Sequence, residues 1–300
     1  MAETMPTITD GEGRFALFGE TFAAPKPAPG LYLVATPIGN LGDMSVRGLQ
    51  VLAAADLVLC EDTRTSARLL DHFGIRTRRT ALHEHNERER APHVVEEIAA
   101  GKVLALISDA GTPLLSDPGF PLVKAVRQAG LDVFAIPGAS ALLAGLSISG
   151  LPTDRFTFVG FLPPKTAARK TELEKLTDRS ETLVFYESPR RLAPALADMA
   201  EILGPYRSAV VALELTKRFE RSFAASLAEL AEKMASEEQK GEAVILVGGA
   251  GAVPIAATDW RETLMALLQT QSLKDAVDEV SKSFGVKRRD VYNEALALKK

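Results

Sequence analysis

Three times in the first half of the chain, a short apolar run ends in a loop that combines proline with glycine and then opens an amphipathic segment. Leu31-Tyr-Leu-Val-Ala runs into Thr36-Pro-Ile-Gly-Asn-Leu-Gly-Asp43, ahead of a helical pattern from Ser45 to Ala55. Val103-Leu-Ala-Leu-Ile runs into Ser108-Asp-Ala-Gly-Thr-Pro-Leu-Leu-Ser-Asp-Pro-Gly119, ahead of Phe120 to Ala129. Asp132-Val-Phe-Ala-Ile runs into Pro137-Gly-Ala-Ser140, ahead of Ala141 to Ser149. Short strands joined through helices build a parallel sheet, and open sheets of that kind take ligands at the carboxyl ends of their strands, where these loops lie.

The longest loop, residues 108–119, sets the chemistry. It contains no Gly-x-x-x-x-Gly-Lys-Ser/Thr, and no Gly-x-Gly-x-x-Gly stands between strand and helix, so it is not built as a phosphate cradle. Its polar side chains are Asp109, Thr112, Ser116 and Asp117, set among two glycines and two prolines. Two carboxylates beside stiffened backbone carbonyls suit a ligand with positive charge, a sulfonium or an amino-acid ammonium. The plainer alternative is an ordinary strand-to-helix turn, and the two companion loops weigh against it.

With 300 residues, 46% of them hydrophobic, the chain has material for two or three cores. Residues 31–150 read as one α/β domain, with strands near Leu31, Leu57, Val103 and Val133 and helices near Ser45, Thr63, Ala91, Phe120 and Ser140. Residues 151–250 read as a second, with strands near Phe156, Thr182, Ala209, Arg221 and Ala243 and helices near Thr166, Pro189 and Leu227. Its runs 210–215 and 219–224 have no helix between them, which predicts an antiparallel hairpin in a mixed sheet. A ligand cleft is expected between the two domains. Residues 257–300 change to helices only, with Gly285 in the last turn, a helix-turn-helix-like arrangement. Residues 1–30 carry acidic residues, glycine and proline but no apolar signal core, and read as a flexible arm that Phe15, Leu17, Phe18 and Phe22 can dock.

The formal net charge of −4 argues against coating nucleic acid by bulk charge, so RNA contact would require local basic patches. No run is long enough to span a bilayer. Cys60, the single cysteine, sits in an apolar run; it reads as packing in a reducing cytoplasm, with no disulfide and no cysteine zinc site available.

Several polar motifs lie outside the three loops. Glu61-Asp62-Thr63-Arg64 ends the second strand, and His83-Glu-His-Asn-Glu87 follows it; the histidine spacing is wrong for two ligands on one helical face, so no metal site is read. Arg64 and Asn86 read as phosphate or base contacts, with a helix cap at Asp62-Thr63 as the alternative. Tyr186, Glu187 and Arg190 lie where a strand opens a helix at Pro189; Tyr186 packs on an adenine or base, or in the core. The basic stretch Lys165 to Lys170, including Arg169, follows an RNA backbone or is a solvated face. Lys217 pairs with Glu220 across the hairpin or approaches a reacting group. Lys282, Lys287, Arg288, Arg289 and the terminal Lys299-Lys300 make the tail basic; it reads as a nucleic-acid contact, a helical cap or a dimerisation element.

The ordered strings VATPIGNLGD, EDTR, SDAGTPLLSDPG, PGASA, FYESPRR, ELTK and GEAVILV span Leu31 to Gly248. In that order they resemble the tetrapyrrole-methylase family, and within it the branch that methylates ribosomal RNA. The resemblance implies two α/β domains with the cofactor, S-adenosylmethionine, held without a Rossmann glycine fingerprint. It implies 2′-O-methylation of a cytidine in the decoding region of 16S rRNA, a cytoplasmic homodimer, and the rRNA or the assembled small subunit as partner. It places cofactor contacts at Ile38, Gly39, Asp109, Ala110, Gly111, Thr112, Leu115, Ser140, Ala141, Tyr186 and the Gly241–Ala243 turn. Candidate general bases for the ribose hydroxyl are Asp62, Glu187 and Lys217; RNA contacts fall to Arg64, Asn86, Lys165, Arg169, Arg190, Lys287, Arg288 and Arg289. Two alternatives stay open: methylation of a tetrapyrrole or other small molecule on the same fold, and a non-enzymatic helix-turn-helix regulator.

Overall fold

The computed structural model describes residues 13–236, 239, 241–251, 260–284 and 286–298, with backbone alone at 282 and 283. The chain divides into two compact units, Met1–Ala141 and Leu142–Lys300. Among the described residues no helix is long and apolar enough to cross a membrane.

The first unit opens on an antiparallel hairpin, β1 (Gly13–Leu17) and β2 (Glu20–Ala24). This corrects the expectation of a flexible arm over residues 1–30, of which 1–12 lie outside the described residues. Phe15 is buried, stacked on Phe22, and the Ala16 N–H donates to the Phe73 carbonyl at 2.7 Å. Burying one phenylalanine stabilises by about 1.5–3 kcal/mol, enough to dock a short hairpin that propensity alone would leave loose.

Five parallel strands follow: β3 (Gly30–Val34), β4 (Leu57–Cys60), β5 (Arg79–Ala81), β6 (Val103–Ile107) and β7 (Val133–Ile136), in the order β5-β4-β6-β3-β7. All five residues of β6 are buried because both faces of the sheet are covered. Val103, Ala105 and Ile107 face α1 (Val46–Ala54) and α2 (Thr63–His72). Leu104 and Leu106 face α3 (Glu87–Ala99) and α4 (Phe120–Gln128). Cys60 is fully buried, as expected, and burial raises its thiol pKa. Neighbouring strands β3 and β6 send their following helices, α1 and α4, to opposite faces, so the loops after them part at a topological switch point. Strand β5 was missed in sequence: Arg79-Thr-Ala81 is only half-buried and carries no apolar run.

The second unit starts earlier than the expected 150/151 boundary because α5 (Ala141–Ile148) packs on the second sheet, where a Cβ on Gly145 would lie 3.2 Å from Val244 Cγ1. That sheet comprises β8 (Phe156–Phe161), β9 (Thr182–Glu187), β10 (Ser208–Leu213), β11 (Arg221–Ser226) and β12 (Ala243–Val247), in the order β11-β10-β12-β9-β8. Only β8 and β9 are parallel; β10 and β11 form the expected hairpin. Its other face packs α6 (Thr166–Glu174), α7 (Pro189–Leu203) and α8 (Leu227–Ser236). Three helices, α9 (Trp260–Thr270), α10 (Leu273–Phe284) and α11 (Arg288–Leu298), close on a small core of Leu264, Leu267, Val277, Val280 and Val291. Gly285, residues 257–259, Lys299 and Lys300 lie outside the described residues, as does the Lys282 side chain.

Candidate active site

In the first unit the three proline–glycine loops are knitted together at one end of the sheet. Thr36, after β3, exchanges backbone hydrogen bonds with Gly111, after β6: N–H to carbonyl at 2.8 Å one way and 3.0 Å the other. The buried Thr36 hydroxyl donates to the Ser108 carbonyl at 3.2 Å. Thr112 reaches the third loop, its hydroxyl donating to the Ala139 carbonyl at 3.1 Å. Gly111 holds φ +81°, and a Cβ there would stand 3.3 Å from Ile38 Cγ2. Ile38, Gly111, Thr112 and the loop that carries Ser140 are therefore neighbours. Leu115 closes a turn back to Thr112 at 3.4 Å, and the Ala110 carbonyl accepts from the Ser108 hydroxyl at 3.3 Å.

The 108–119 loop is constrained from both ends. Leu114 and Ser116 sit at φ +74° and +68°, conformations that non-glycine residues adopt only under restraint. Part of that restraint is Glu87, a buried carboxylate that accepts from the Gly119 N–H at 2.7 Å. Sequence reasoning missed Thr36 and Glu87. Both lie inside quoted motifs, but nothing local signals the role of Glu87, since its partner is 32 residues away.

Four carboxylates gather beside this loop. The Asp62 N–H donates to Asp109 Oδ1 at 3.1 Å. Burial, then the charge of Glu61, push Asp117 up to about 6, with the Ser108 hydroxyl opposing and Asp109 adding to the rise. Burial is also the leading cause that raises Glu61 and Asp109; charged neighbours add to it in both, Asp109 first for Glu61 and Asp62 for Asp109. Closely spaced carboxylates with raised proton affinity are stabilised by a bound cation. Among the described residues no group of three or more His, Cys, Asp or Glu is placed to hold a metal ion.

Asp62 itself serves α2. It is the N-cap, accepting from the Arg64 N–H at 2.8 Å, and its other oxygen pairs with the Arg64 guanidinium at 2.8 Å. Those hydrogen bonds hold its pKa at about 2, so it is a weak base, and Arg64 is already engaged. Asn86 is also structural: its side chain accepts from the His83 N–H at 2.9 Å and donates to the Ala81 carbonyl at 3.2 Å.

In the second unit, the ends of β9, β10 and β12 bring Tyr186, Glu187, Ala243 and Lys217 together. Ala243 pairs with Glu187 on one side and Leu213 on the other. The Tyr186 hydroxyl accepts from the Leu142 N–H at 3.0 Å. Glu187 is buried, bound to Arg191 at 2.8 Å and to the Ser188 N–H at 2.7 Å. Lys217 pairs with Glu214 at 2.9 Å and Glu242 at 3.2 Å, not with Glu220, which accepts instead from the Thr216 N–H at 2.6 Å. Burial alone would lower the Lys217 pKa, but Glu214 and Glu242 outweigh it and raise it above the usual value. Lys217 therefore keeps its proton at neutral pH and is no general base. Gly241, at φ +87°, leaves room for the Glu214 carboxylate, where any Cβ would collide.

Of two further paired basic residues, Arg169 is engaged by the fold, whereas Arg288 is in an exposed surface ion pair. Arg169 is buried, its Nε donating to Asp198 Oδ2 at 2.6 Å, with the Pro164 carbonyl at 3.3 Å as a further acceptor. Arg288 pairs with Asp278. Lys165, Arg190, Lys287 and Arg289 remain exposed.

Comparison with known proteins gives the class. The sequence model of the tetrapyrrole (corrin/porphyrin) methylases matches residues 30–231, and that of the RsmI C-terminal HTH domain matches 254–299. The chain belongs to the tetrapyrrole (corrin/porphyrin) methylases. Within that family it is similar to proteins named ribosomal RNA small subunit methyltransferase I. That of Mesorhizobium japonicum is 47% identical, over 94% of this chain and 97% of its own. That of Pseudomonas aeruginosa is also 47% identical, over 89% and 96%. Among solved structures, cobalt precorrin-4 methyltransferase (CbiF) superposes with a TM-score of 0.56 at 18% identity, over 73% of this chain and 94% of that one. Uroporphyrin-III C-methyl transferase of Thermus thermophilus, complexed with S-adenyl homocysteine, gives 0.51 at 22% identity, over 74% and 98%. These two likenesses show the fold.

Proposed function

We propose that the chain transfers a methyl group from S-adenosylmethionine to the 2′-hydroxyl of a cytidine ribose in 16S rRNA, in the decoding region of the small ribosomal subunit. The observation that carries this reading is similarity over nearly the full chain, tail included, to small-subunit rRNA methyltransferases. The loop chemistry supports the donor: the first unit offers carboxylates and backbone carbonyls where a phosphate site would offer lysine and N–H groups.

When bound, S-adenosylmethionine supplies a methyl group on a positively charged sulfur, open to in-line attack by an oxygen nucleophile. Ile38, Gly39, the 109–112 segment, Leu115, Ser140 and Ala141 are the proposed contacts on the first unit; Tyr186 and Ala243 are those on the second. The Thr36–Gly111 and Thr112–Ala139 hydrogen bonds fix the loops in advance of binding, so little ordering entropy remains to be lost. Of the three candidate bases, Lys217 holds its proton, Asp62 is weakly basic, and Glu187 is buried against Arg191. Alignment of the ribose hydroxyl is then the main source of rate, an effect of about 7–11 kcal/mol. Asn86 and Arg169 leave the proposed RNA surface; Lys165, Arg190, Lys287 and Arg289 stay on it, as do Arg64 and Arg288, whose ion pairs are exposed.

The test is incubation with labelled S-adenosylmethionine and small subunits or rRNA, followed by alkaline digestion. Label in alkali-resistant dinucleotides containing cytidine is expected, because a 2′-methoxy group cannot attack the adjacent phosphate. Label in alkali-sensitive nucleotides, or none in RNA, would remove the reading.

Asp117 gives a pH signature. Its carboxyl, raised from 3.8 to about 6, is partly protonated at mildly acidic pH, and a nearby cation favours the charged form. Donor affinity is expected to rise with pH through about 6 and then level, and Asp117→Asn to flatten the profile in calorimetric titration. The same shift has the opposite sign for folding. Between about 4 and about 6 the folded chain binds more protons at this group than the unfolded chain, so its contribution disfavours folding as pH rises.

In the tail, Lys287→Gln with Arg289→Gln is expected to lower the slope of log affinity against log salt by about 2, while donor affinity is unchanged. An unaltered slope would place RNA elsewhere.

A further inference from the structure

The exit of β8 and β9 in the second unit carries an exposed ring that its fold role does not explain. The register of these parallel strands slips between Phe158 and Gly160: Phe158 pairs with Val184, Gly160 with Phe185 and Phe161 with Tyr186. Val159 is the extra residue, and Gly160 takes φ +75°. Without that bulge, residues 158 and 161 would point to opposite faces, because side chains alternate along a strand. With it, both stand on the face that carries Tyr186. Phe158 and Phe161 lie 4.9 Å and 5.7 Å from the Tyr186 ring, at interplanar angles of 67° and 64°. Bulges of this kind re-aim a side chain. This one delivers Phe161 to solvent, 58% exposed, while the next residue, Leu162, is buried in the core.

The surroundings are cationic. Arg191, in the first turn of α7, donates to the Leu162 carbonyl at 2.6 Å and so ties the start of that helix to the residue after Phe161. The neighbouring Arg190 is exposed, as is Lys165, four residues beyond the ring at the N-cap of α6. Lys170, one turn further along, is neutralised by Glu201 at 2.6 Å, so Lys165 and Arg190 carry the local charge, on a chain whose net charge is −4.

We infer that Phe161 is a stacking platform for an unpaired base of the RNA substrate, with Lys165 and Arg190 holding the phosphates on either side of it. An aromatic face flanked by cations is how single-stranded nucleic acid is bound without reading its sequence. The inference rests on the proposed RNA substrate and adds the surface that positions it. Tyr186, rigidly held by Phe158 and by the Leu142 N–H, supports the platform from the sheet.

The test compares Phe161→Ala, Phe161→Leu and Phe161→Trp in the full chain. Each is assayed by methyl transfer to small-subunit rRNA at varied RNA concentration, by binding of a fluorescent oligocytidine strand, and by calorimetry with S-adenosylmethionine. The alanine and leucine variants are expected to raise KM for RNA and weaken oligocytidine binding roughly 5- to 150-fold. Donor affinity and kcat at saturating RNA are expected to stay at the wild-type value, and tryptophan to restore RNA binding. Lys165→Gln and Arg190→Gln would each lower the salt slope by about 1, whereas the Phe161 variants leave it unchanged. A leucine variant that binds oligocytidine like wild type, or a loss confined to kcat, overturns the platform. A wild-type chain that methylates no RNA overturns the substrate reading, and the platform with it.

Discussion

Gly111→Arg is expected to abolish binding of S-adenosylmethionine while leaving both sheets folded. The position combines three constraints: φ +81°, hydrogen bonds to Thr36 in both directions, and Ile38 at 3.3 Å from any added Cβ. A left-handed backbone costs a non-glycine residue about 1–2 kcal/mol, which a chain of this size tolerates. The guanidinium, in contrast, would occupy the space beside the three loops and place a cation where the proposed donor carries its own. Calorimetry should show no heat of binding, and far-UV circular dichroism should be unchanged. Gly111→Ala separates the two effects: it is expected to carry the backbone strain with only part of the loss in affinity. Wild-type affinity in the arginine variant would refute the placement of the donor.

Asp198→Ala is expected to destabilise the second unit by about 3–5 kcal/mol, because it leaves the Arg169 guanidinium buried without its carboxylate. The side chains of the pair are 4% and 10% exposed. Lys170, 3.8 Å from the second oxygen of Asp198, loses a partner too and stands beside the orphaned guanidinium as a like charge. Urea unfolding should report the loss, and Arg169→Met combined with Asp198→Leu should recover most of it, since a packed apolar pair carries no desolvation cost. A single-variant loss below about 1 kcal/mol would mean that the pair is solvated in solution. The Pro164 carbonyl, held by Arg169, ties this pair to the β8 exit, so Asp198→Ala is also expected to weaken RNA binding.

Arg169 illustrates what local sequence conceals. Within Lys165-Thr-Ala-Ala-Arg-Lys170 it looks like one more cation on a solvated or RNA-facing helix, and nothing nearby in the chain announces a partner at residue 198. Glu87 is silent in the same way, its backbone partner Gly119 being 32 residues away, while Asn86 spends its side chain on His83 and Ala81 close by, and a polar side chain that satisfies a backbone group has the same composition as one that contacts a ligand. The three loops were legible because their signals are local: apolar runs, proline and glycine at the turn, and a helical pattern at once afterwards. The continuous apolar run of β6 and the helix-free link between β10 and β11 were legible for the same reason. Strand β5 and the β1–β2 hairpin were not, because three half-buried residues, or a phenylalanine docked on a helix far along the chain, gain their structure from tertiary contact rather than from pattern.

The order β5-β4-β6-β3-β7 has a consequence for the chain as it is synthesised. Strand β3 is made first but finds its two neighbours, β6 and β7, only when residues 103–136 have emerged. Until then Leu31, Tyr32 and Val34 have no sheet to enter, and the hairpin ahead of them waits for the Phe73 carbonyl. Closing such separated pairings makes the first unit slow to nucleate and leaves apolar strand edges open to other chains meanwhile. A nascent chain stalled short of residue 103 should therefore engage chaperones, and one released beyond residue 136 should not.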